Sequence, residues 1–143
     1  MQLEALRITA PRFDLGHIGL GPYSAEELRL IKQIAMVHTE AGYYEEAVGI
    51  YRMALEYLDA NGQRLPQYSY LKPIYAAGCS NALSRMGRYQ EALEIAEEGL
   101  LASMESEQYH EVATLLWVQA YCYYCMGERE KHCNVYSVES ALR

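Results

Sequence analysis

Apolar residues in this chain recur in steps of three and four. From Tyr44 they fall at Ala47, Val48, Tyr51, Ala54, Leu55 and Leu58, positions that share one face of an α-helix. A second stretch repeats the arrangement at Tyr89, Ala92, Leu93, Ala96, Gly99 and Leu100. The two stretches also read alike. "GYYEEAVGIYRMALEYL" from Gly42 and "GRYQEALEIAEEGLLAS" from Gly87 share a glycine, a tyrosine two residues on, Glu-Ala, an aliphatic residue, Ile and Leu. Small side chains stand where each predicted helix would meet a neighbour closely: Ala47 and Ala54, then Ala92, Ala96 and Gly99.

Each phrase has an upstream partner. "SAEELRLIKQIAMVHTEAG" opens with Ser24 and Glu27 at capping-box spacing, which predicts a helix start. Its apolar face is Leu28, Ile31, Ile34, Ala35 and His38, and it stops at Gly42, a residue suited to the left-handed conformation that ends helices. "YLKPIYAAGCSNALSRMG" stops in the same way at Gly87. Pro73 marks either the start of that helix or a kink in a longer one from near Pro66, because proline suits a first turn and disrupts an interior. "QYHEVATLLWVQAYCYYCMG" stops at Gly127.

The predicted unit is therefore helix, glycine turn, helix. Gly42 and Gly87 lie 45 residues apart, Gly87 and Gly127 lie 40 apart. The joint from Asp59 to Gln67 carries the turn signal Asn61-Gly62. No stretch alternates with period two, so no sheet is expected. The pattern predicts a connector over residues 1–23 and a helical repeat domain over 24–143, in units of about 24–60, 66–104 and 106–143. Such units bury a face only against their neighbours.

Gly-x-Tyr-x-Glu-Ala, followed by an aromatic or small residue four places on and then a small residue and Leu, resembles the tetratricopeptide repeat (TPR). The resemblance spans roughly residues 24–127. It implies an all-α fold, a right-handed superhelix of antiparallel helix hairpins (an α-α solenoid) that binds proteins or peptides on its concave face. Two departures stand out. The usual period is about 34 residues. In the third unit "GEREKHCNVYSVESALR" puts Arg129 and His132 where Tyr and Ala are expected, so that segment is either a capping helix or no repeat at all. The lead-in "LEALRITAPRFDLGHIG" with "SAEELRLIKQIA" is similar to the joint between a helix-turn-helix domain and a TPR array in bacterial XRE-type transcriptional regulators. That likeness implies an effector-sensing, peptide-binding and dimerising role, with the DNA-binding half on another segment.

Composition narrows the partners. The 143 residues carry a net charge of −7, with 12 Lys and Arg scattered from Arg7 to Arg143. That is a poor match for a phosphate backbone, and no direct nucleic-acid contact by this chain is expected. The N-terminus carries Glu4, Arg7 and Arg12 and no unbroken apolar stretch, so no secretory signal is expected. No segment approaches about 18 consecutive apolar residues, so no membrane span is expected. Cys79, Cys122, Cys125 and Cys133 read as reduced thiols of a cytoplasmic protein. Tyrosine is abundant at 14 residues, and its apolar ring and polar tip suit half-buried positions and grooves.

In a stacked array the first helix of each hairpin lines the inner surface, and the stripe away from the core meets a ligand. That stripe holds Arg29, Lys32, Met36 and Thr39 in the first unit, Ala77, Asn81, Ser84 and Arg85 in the second, and Trp117, Tyr121 and Tyr124 in the third. Asn81 offers a donor and an acceptor to a peptide backbone. The aromatic residues offer side-chain pockets. Arg29, Lys32 or Arg85 would pair with a carboxylate. Only Lys32 and Asn81 fit parts of the carboxylate clamp that the TPR resemblance implies. The competing reading is a solvated charged face, and for Trp117 burial against a neighbouring helix or a dimer partner.

Other motifs point to little chemistry. Cys122 and Cys125, with His132 and Cys133, form the one imaginable zinc set, but the spacing is irregular and mid-helix cysteines usually pack as apolar residues. The Cys122–Cys125 pair lies near a helix C-terminus, where no dipole lowers a thiol pKa. His38 falls on the core stripe; His17 and His110 have no partner by spacing. The glycines between Asp14 and Tyr23 lack the Lys-Ser/Thr of a phosphate loop. No nucleophile–base arrangement is evident, so neither enzyme activity nor a cofactor is expected. A passive self-association scaffold is the alternative to a ligand sensor.

Overall fold

The computed structural model describes residues 23–61, 70–128 and Lys131. Among the described residues five helices follow one another: α1 (Ala25–Glu40), α2 (Tyr44–Asn61), α3 (Lys72–Arg85), α4 (Tyr89–Ser106) and α5 (Val112–Cys125). No strand occurs among the described residues. Each helix packs on the next in sequence. The first helices of successive hairpins also stack, α1 on α3 and α3 on α5. The fold is an all-α helical repeat solenoid, as the periodicity predicts.

Local signals set the helix ends. Ser24 caps α1 with the full capping box: its hydroxyl accepts from the Glu27 amide at 3.1 Å, and Glu27 accepts from the Ser24 amide. Pro73 sits in the first turn of α3, so it starts that helix and does not kink a longer one. The three glycine turns share one geometry. Gly42, Gly87 and Gly127 have φ of 89°, 80° and 77°. In each, the glycine amide bonds three residues back and the next amide five residues back: Tyr43 to His38 at 2.8 Å, Arg88 to Leu83 at 3.0 Å, Glu128 to Tyr123 at 2.9 Å. These are Schellman motifs, and their repetition makes the first two hairpins equivalent. Past the third turn, only Glu128 and Lys131 of the expected final helix are among the described residues.

The small residues occupy the crossings. Ala47, Ala92 and Ala96 are fully buried and Ala54 is nearly so. A β-carbon added at Gly99 would lie 2.8 Å from the Ala76 methyl and 2.9 Å from Leu115. Hydrogen at that position is thus what lets α4 approach α3 and α5 together. Leu28, Ile31, Ile34 and Ala35 fill the core from α1. His38 is half-buried on the same stripe, and its Nδ1–H donates to the Ile34 carbonyl at 2.8 Å. Buried tyrosines tie elements that are distant in sequence. The Tyr75 hydroxyl donates to the Leu28 carbonyl, joining α3 to α1. The Tyr23 amide donates to the Tyr57 hydroxyl at 2.9 Å, fixing the chain at the entry to α1.

The outer helices add ion pairs. Arg52 of α2 meets Glu91 of α4 at 3.1 Å, and Arg88 also holds Glu91. Together the two guanidinium groups, Arg88 first, keep the Glu91 carboxyl below its ordinary range. Lys72 at the start of α3 meets Asp59 near the end of α2 at 2.8 Å. All three pairs are partly exposed, so they set orientation more than stability.

Overpacking at the crossings should therefore be costly. Ala47→Leu, Ala92→Leu and Gly99→Ala are each expected to lower the unfolding free energy by about 1–3 kcal/mol. Gly49 in α2 has open space around its β-position, so Gly49→Ala should raise it by about 0.5–1 kcal/mol. Urea denaturation followed by circular dichroism measures all four; neutral leucine variants would show that these faces do not meet. A second expectation concerns alkali. Burial pushes the Cys79 and Cys122 thiols from 9.0 up to about 11 and the Tyr51 phenol from 10.0 up to about 12. These folded values are raised, so the groups take nothing from stability at neutral pH. Above about pH 9 the unfolded chain loses protons that the folded one keeps, and stability falls by about 1.4 kcal/mol per pH unit for each group within its window. Urea titrations from neutral to alkaline pH should show this decline, and Cys79→Ala should make it shallower between about pH 9 and about pH 11. An unchanged slope in that variant would remove Cys79 from the account.

Candidate functional site, a cleft among the first helices

The stacked first helices enclose a cleft of about 340 Å³. Its lining is a set of helical stripes. From α1 come Lys32, Met36, Thr39 and Glu40; from α3 Ile74, Ala77, Gly78, Asn81 and Arg85; from the start of α5 Glu111 and Thr114. Steps of three, four, seven and eight put each set on one helix face. One further residue, Tyr51, reaches the cleft from the outer helix α2.

Lys32, Met36, Asn81 and Arg85, all expected on the inner face, thus line one cavity. Thr39 and Ala77 join them. Arg29 shares the azimuth of the α1 stripe but lies one turn nearer the helix N-terminus; it is exposed and outside the lining. Ser84 corrects the expected α3 stripe. It is buried, and its hydroxyl turns back to donate to the Asn81 carbonyl at 2.7 Å. Trp117, Tyr121 and Tyr124 continue the α5 stripe beyond Thr114 and are likewise outside the cleft lining. They are exposed, Trp117 at 43% and Tyr124 at 66%. Trp117 stacks on Tyr121 with ring centroids 5.4 Å apart and planes at 10°, and Tyr89 of α4 meets Tyr121 edge-on at 6.3 Å. The neighbouring Cys125 thiol holds the Tyr89 and Tyr121 phenols above their ordinary range. Arg85 acts on Tyr121 in the opposite sense.

Charge within the cleft is mixed. Lys32 and Arg85 supply cations; Glu40 and Glu111 supply anions. Lys32 and Arg85 form no ion pair with another described residue. Arg85 Nε only reaches Asn81 Oδ1 at 3.4 Å, a long and weak bond. Their charge is therefore available to a ligand, whereas Arg52, Lys72 and Arg88 are already paired. The rest of the lining includes the apolar side chains of Met36, Ile74 and Ala77 and the polar ones of Thr39, Tyr51, Asn81 and Thr114. Such a mixture suits a peptide, which brings backbone donors and acceptors together with side chains of both kinds.

Metal chemistry has no visible frame here. Among the described residues no group of three or more His, Cys, Asp or Glu side chains converges. Cys122 is buried and Cys125 exposed, so the two thiols point differently. His132 and Cys133, the rest of the imagined zinc set, lie outside the described residues. No helix among the described residues is long and apolar enough to cross a membrane.

No protein-family model matches the sequence, and no curated protein matches it either. Among solved structures, the crystal structure of the TPR domain of Arabidopsis FLU is similar, with a TM-score of 0.73 at 22% sequence identity over 81% of this chain and 93% of that one. At that identity the likeness speaks to architecture, and it agrees with the helix pairing and glycine turns described above: the chain has the fold of a tetratricopeptide-repeat domain.

Proposed function

We propose that this chain is a peptide- or protein-binding module, and that it serves as the effector-sensing and dimerising part of a bacterial transcriptional regulator. The observation that carries the binding role is the cleft itself, where Lys32 and Arg85, without an ion-pair partner among the described residues, line one cavity with Asn81, Met36 and Ile74. The ligand is a peptide segment bearing a carboxylate, held by Lys32 and Arg85 and laid along the first helices. The similarity of the lead-in to regulator joints supports the finer reading, in which a separate helix-turn-helix touches DNA and this acidic chain does not. Unpaired Cys79, Cys122 and Cys125 suit a cytoplasmic setting. Binding would act by selecting one curvature of the array over another. The exposed row of Trp117, Tyr121 and Tyr124 favours a second use of α5, contact with another copy of the chain.

A phage-displayed random dodecapeptide library panned on the purified chain tests the first part. Acidic peptides should be enriched. Lys32→Ala and Arg85→Ala should each weaken the enriched peptides about five- to tenfold in fluorescence anisotropy, and added salt should weaken binding to the wild type. Failure to enrich any peptide, or equal affinity for both variants, would remove the cleft from the account. Sedimentation velocity tests the second part: a dimer that Trp117→Ala dissociates supports it, and a monomer at all concentrations ends it.

A further inference from the structure

We infer that Tyr51 is a specificity-determining residue of the cleft, its hydroxyl presented through the gap that Gly78 leaves and accepting a hydrogen bond from a backbone N–H of the bound peptide. This deepens the peptide-binding reading above and rests on it. Tyr51 belongs to the outer helix α2, whose neighbouring face residues Ala47, Ala54 and Leu55 are core. At 2% exposure it would itself pass for core. Its position says more. Tyr51 and Gly78 both line the cleft. A β-carbon at Gly78 would lie 2.6 Å from the Tyr51 hydroxyl oxygen and would overlap the ring. Only glycine at 78 leaves room for the phenol tip beside α3.

The ring has no second place to go. Tyr75 meets it edge-on with centroids 6.3 Å apart and planes at 71°, and Tyr75 is itself committed to the Leu28 carbonyl. Hydrogen-bond capacity then fixes the chemistry of the ligand group. The Thr39 hydroxyl donates to the Ala35 carbonyl at 2.9 Å and lines the cleft with Tyr51. With the Thr39 proton used on Ala35, Thr39 does not compete for the phenol's lone pairs, and the Tyr51 oxygen keeps one for the cleft whichever way its own proton turns. That lone pair suits an N–H donor. Asn81 lies one turn beyond Gly78 on the same stripe of α3 and offers both a donor and an acceptor. A peptide backbone presents N–H and C=O groups in alternation; Tyr51 and Asn81 are the neutral groups that read them, while Lys32 and Arg85 read charge.

Two measurements on the full chain test this. The first needs no ligand. With ring-labelled tyrosine and a soluble gadolinium chelate as probe, the Tyr51 signal should relax faster than that of fully buried Tyr75, the two being assigned with Tyr51→Phe and Tyr75→Phe. Equal protection overturns the inference. The second uses dodecapeptides enriched from the random phage library. Tyr51→Phe should weaken them about tenfold while leaving the thermal midpoint within a few degrees; an unchanged Kd overturns the inference. Gly78→Ala should lower the midpoint and abolish binding. Gly78→Ala combined with Tyr51→Leu should restore the midpoint without restoring binding, and recovery of binding in that double variant also counts against the role. If the wild type enriches no peptide, the binding reading fails and the ligand half of this inference with it. The relaxation measurement still decides separately whether the hydroxyl opens on the cleft.

Discussion

The close approach of α4 to α3 and α5 at Gly99 is the constraint on which the rest of the array depends. Interiors pack at nearly crystalline density, so the distance between two helices is set by the side chains at their crossing. A missing β-carbon at Gly99, against the Ala76 methyl and Leu115, brings three helices together at one point. Ala47, Ala92 and Ala96 are fully buried on the packed faces of α2 and α4. Bulk at any of them would spread the hairpins, and the spacing of α1, α3 and α5 would change with it. That spacing defines the cleft, whose two charged walls stand on α1 and α3. Packing on the outer side of the array thereby sets the width of the binding surface on the inner side.

A second layer of order comes from the turns. Gly42, Gly87 and Gly127 adopt the same left-handed conformation with the same pair of backbone hydrogen bonds. A turn with fixed geometry fixes the angle at which each second helix leaves its first. α1 and α3 thereby meet equivalent partners, and their free stripes come to face the same side. Glu107 shows the contrast. It ends α4 with φ of 56°, a conformation that disfavours a side chain, and the link it opens into α5 is of a different kind from the glycine turns. The glycine turns repeat one geometry, and the joint that Glu107 opens departs from it.

Most of the architecture was legible in the sequence because its determinants are local. The capping box at Ser24, the stop at each glycine, the stripes at steps of three and four and the small residues at the crossings all act within one or two turns. Pro73 was ambiguous for the same reason: proline permits a start or a kink, and tertiary packing chooses. The cleft was half legible. Lys32, Met36, Asn81 and Arg85 project from first helices on the side away from the core, and periodicity alone places them. Ser84 was misplaced because a serine within a helix can bond its own backbone, here at Asn81, and so satisfy burial. Tyr51 was read as core because it lies on the apolar stripe of α2. Its access to the cleft depends on an absent side chain 27 positions later, at Gly78, and a periodicity confined to one helix carries no trace of that.

Charge distribution reconciles an acidic protein with the acidic ligand proposed for it. Exposed carboxylates crowd the outer helices: Glu45, Glu46 and Glu56 on α2, Glu94, Glu97 and Glu98 on α4. The cations of that side are largely consumed, since Arg52 and Arg88 both hold Glu91. On the other side Lys32 and Arg85 line the cleft and have no ion-pair partner among the described residues. A cleft with low-dielectric walls concentrates the field of the charges that line it, while more distant surface charge is screened within about 10 Å of salt solution. An anionic segment approaching the outer helices is repelled, whereas at the cleft it meets the cations that α1 and α3 present. Glu40 and Glu111 border the same cavity and set a limit on this preference. A ligand with a single carboxylate among neutral residues fits the lining better than a run of acids, because a run would bring negative charge against Glu40 or Glu111 wherever it lay.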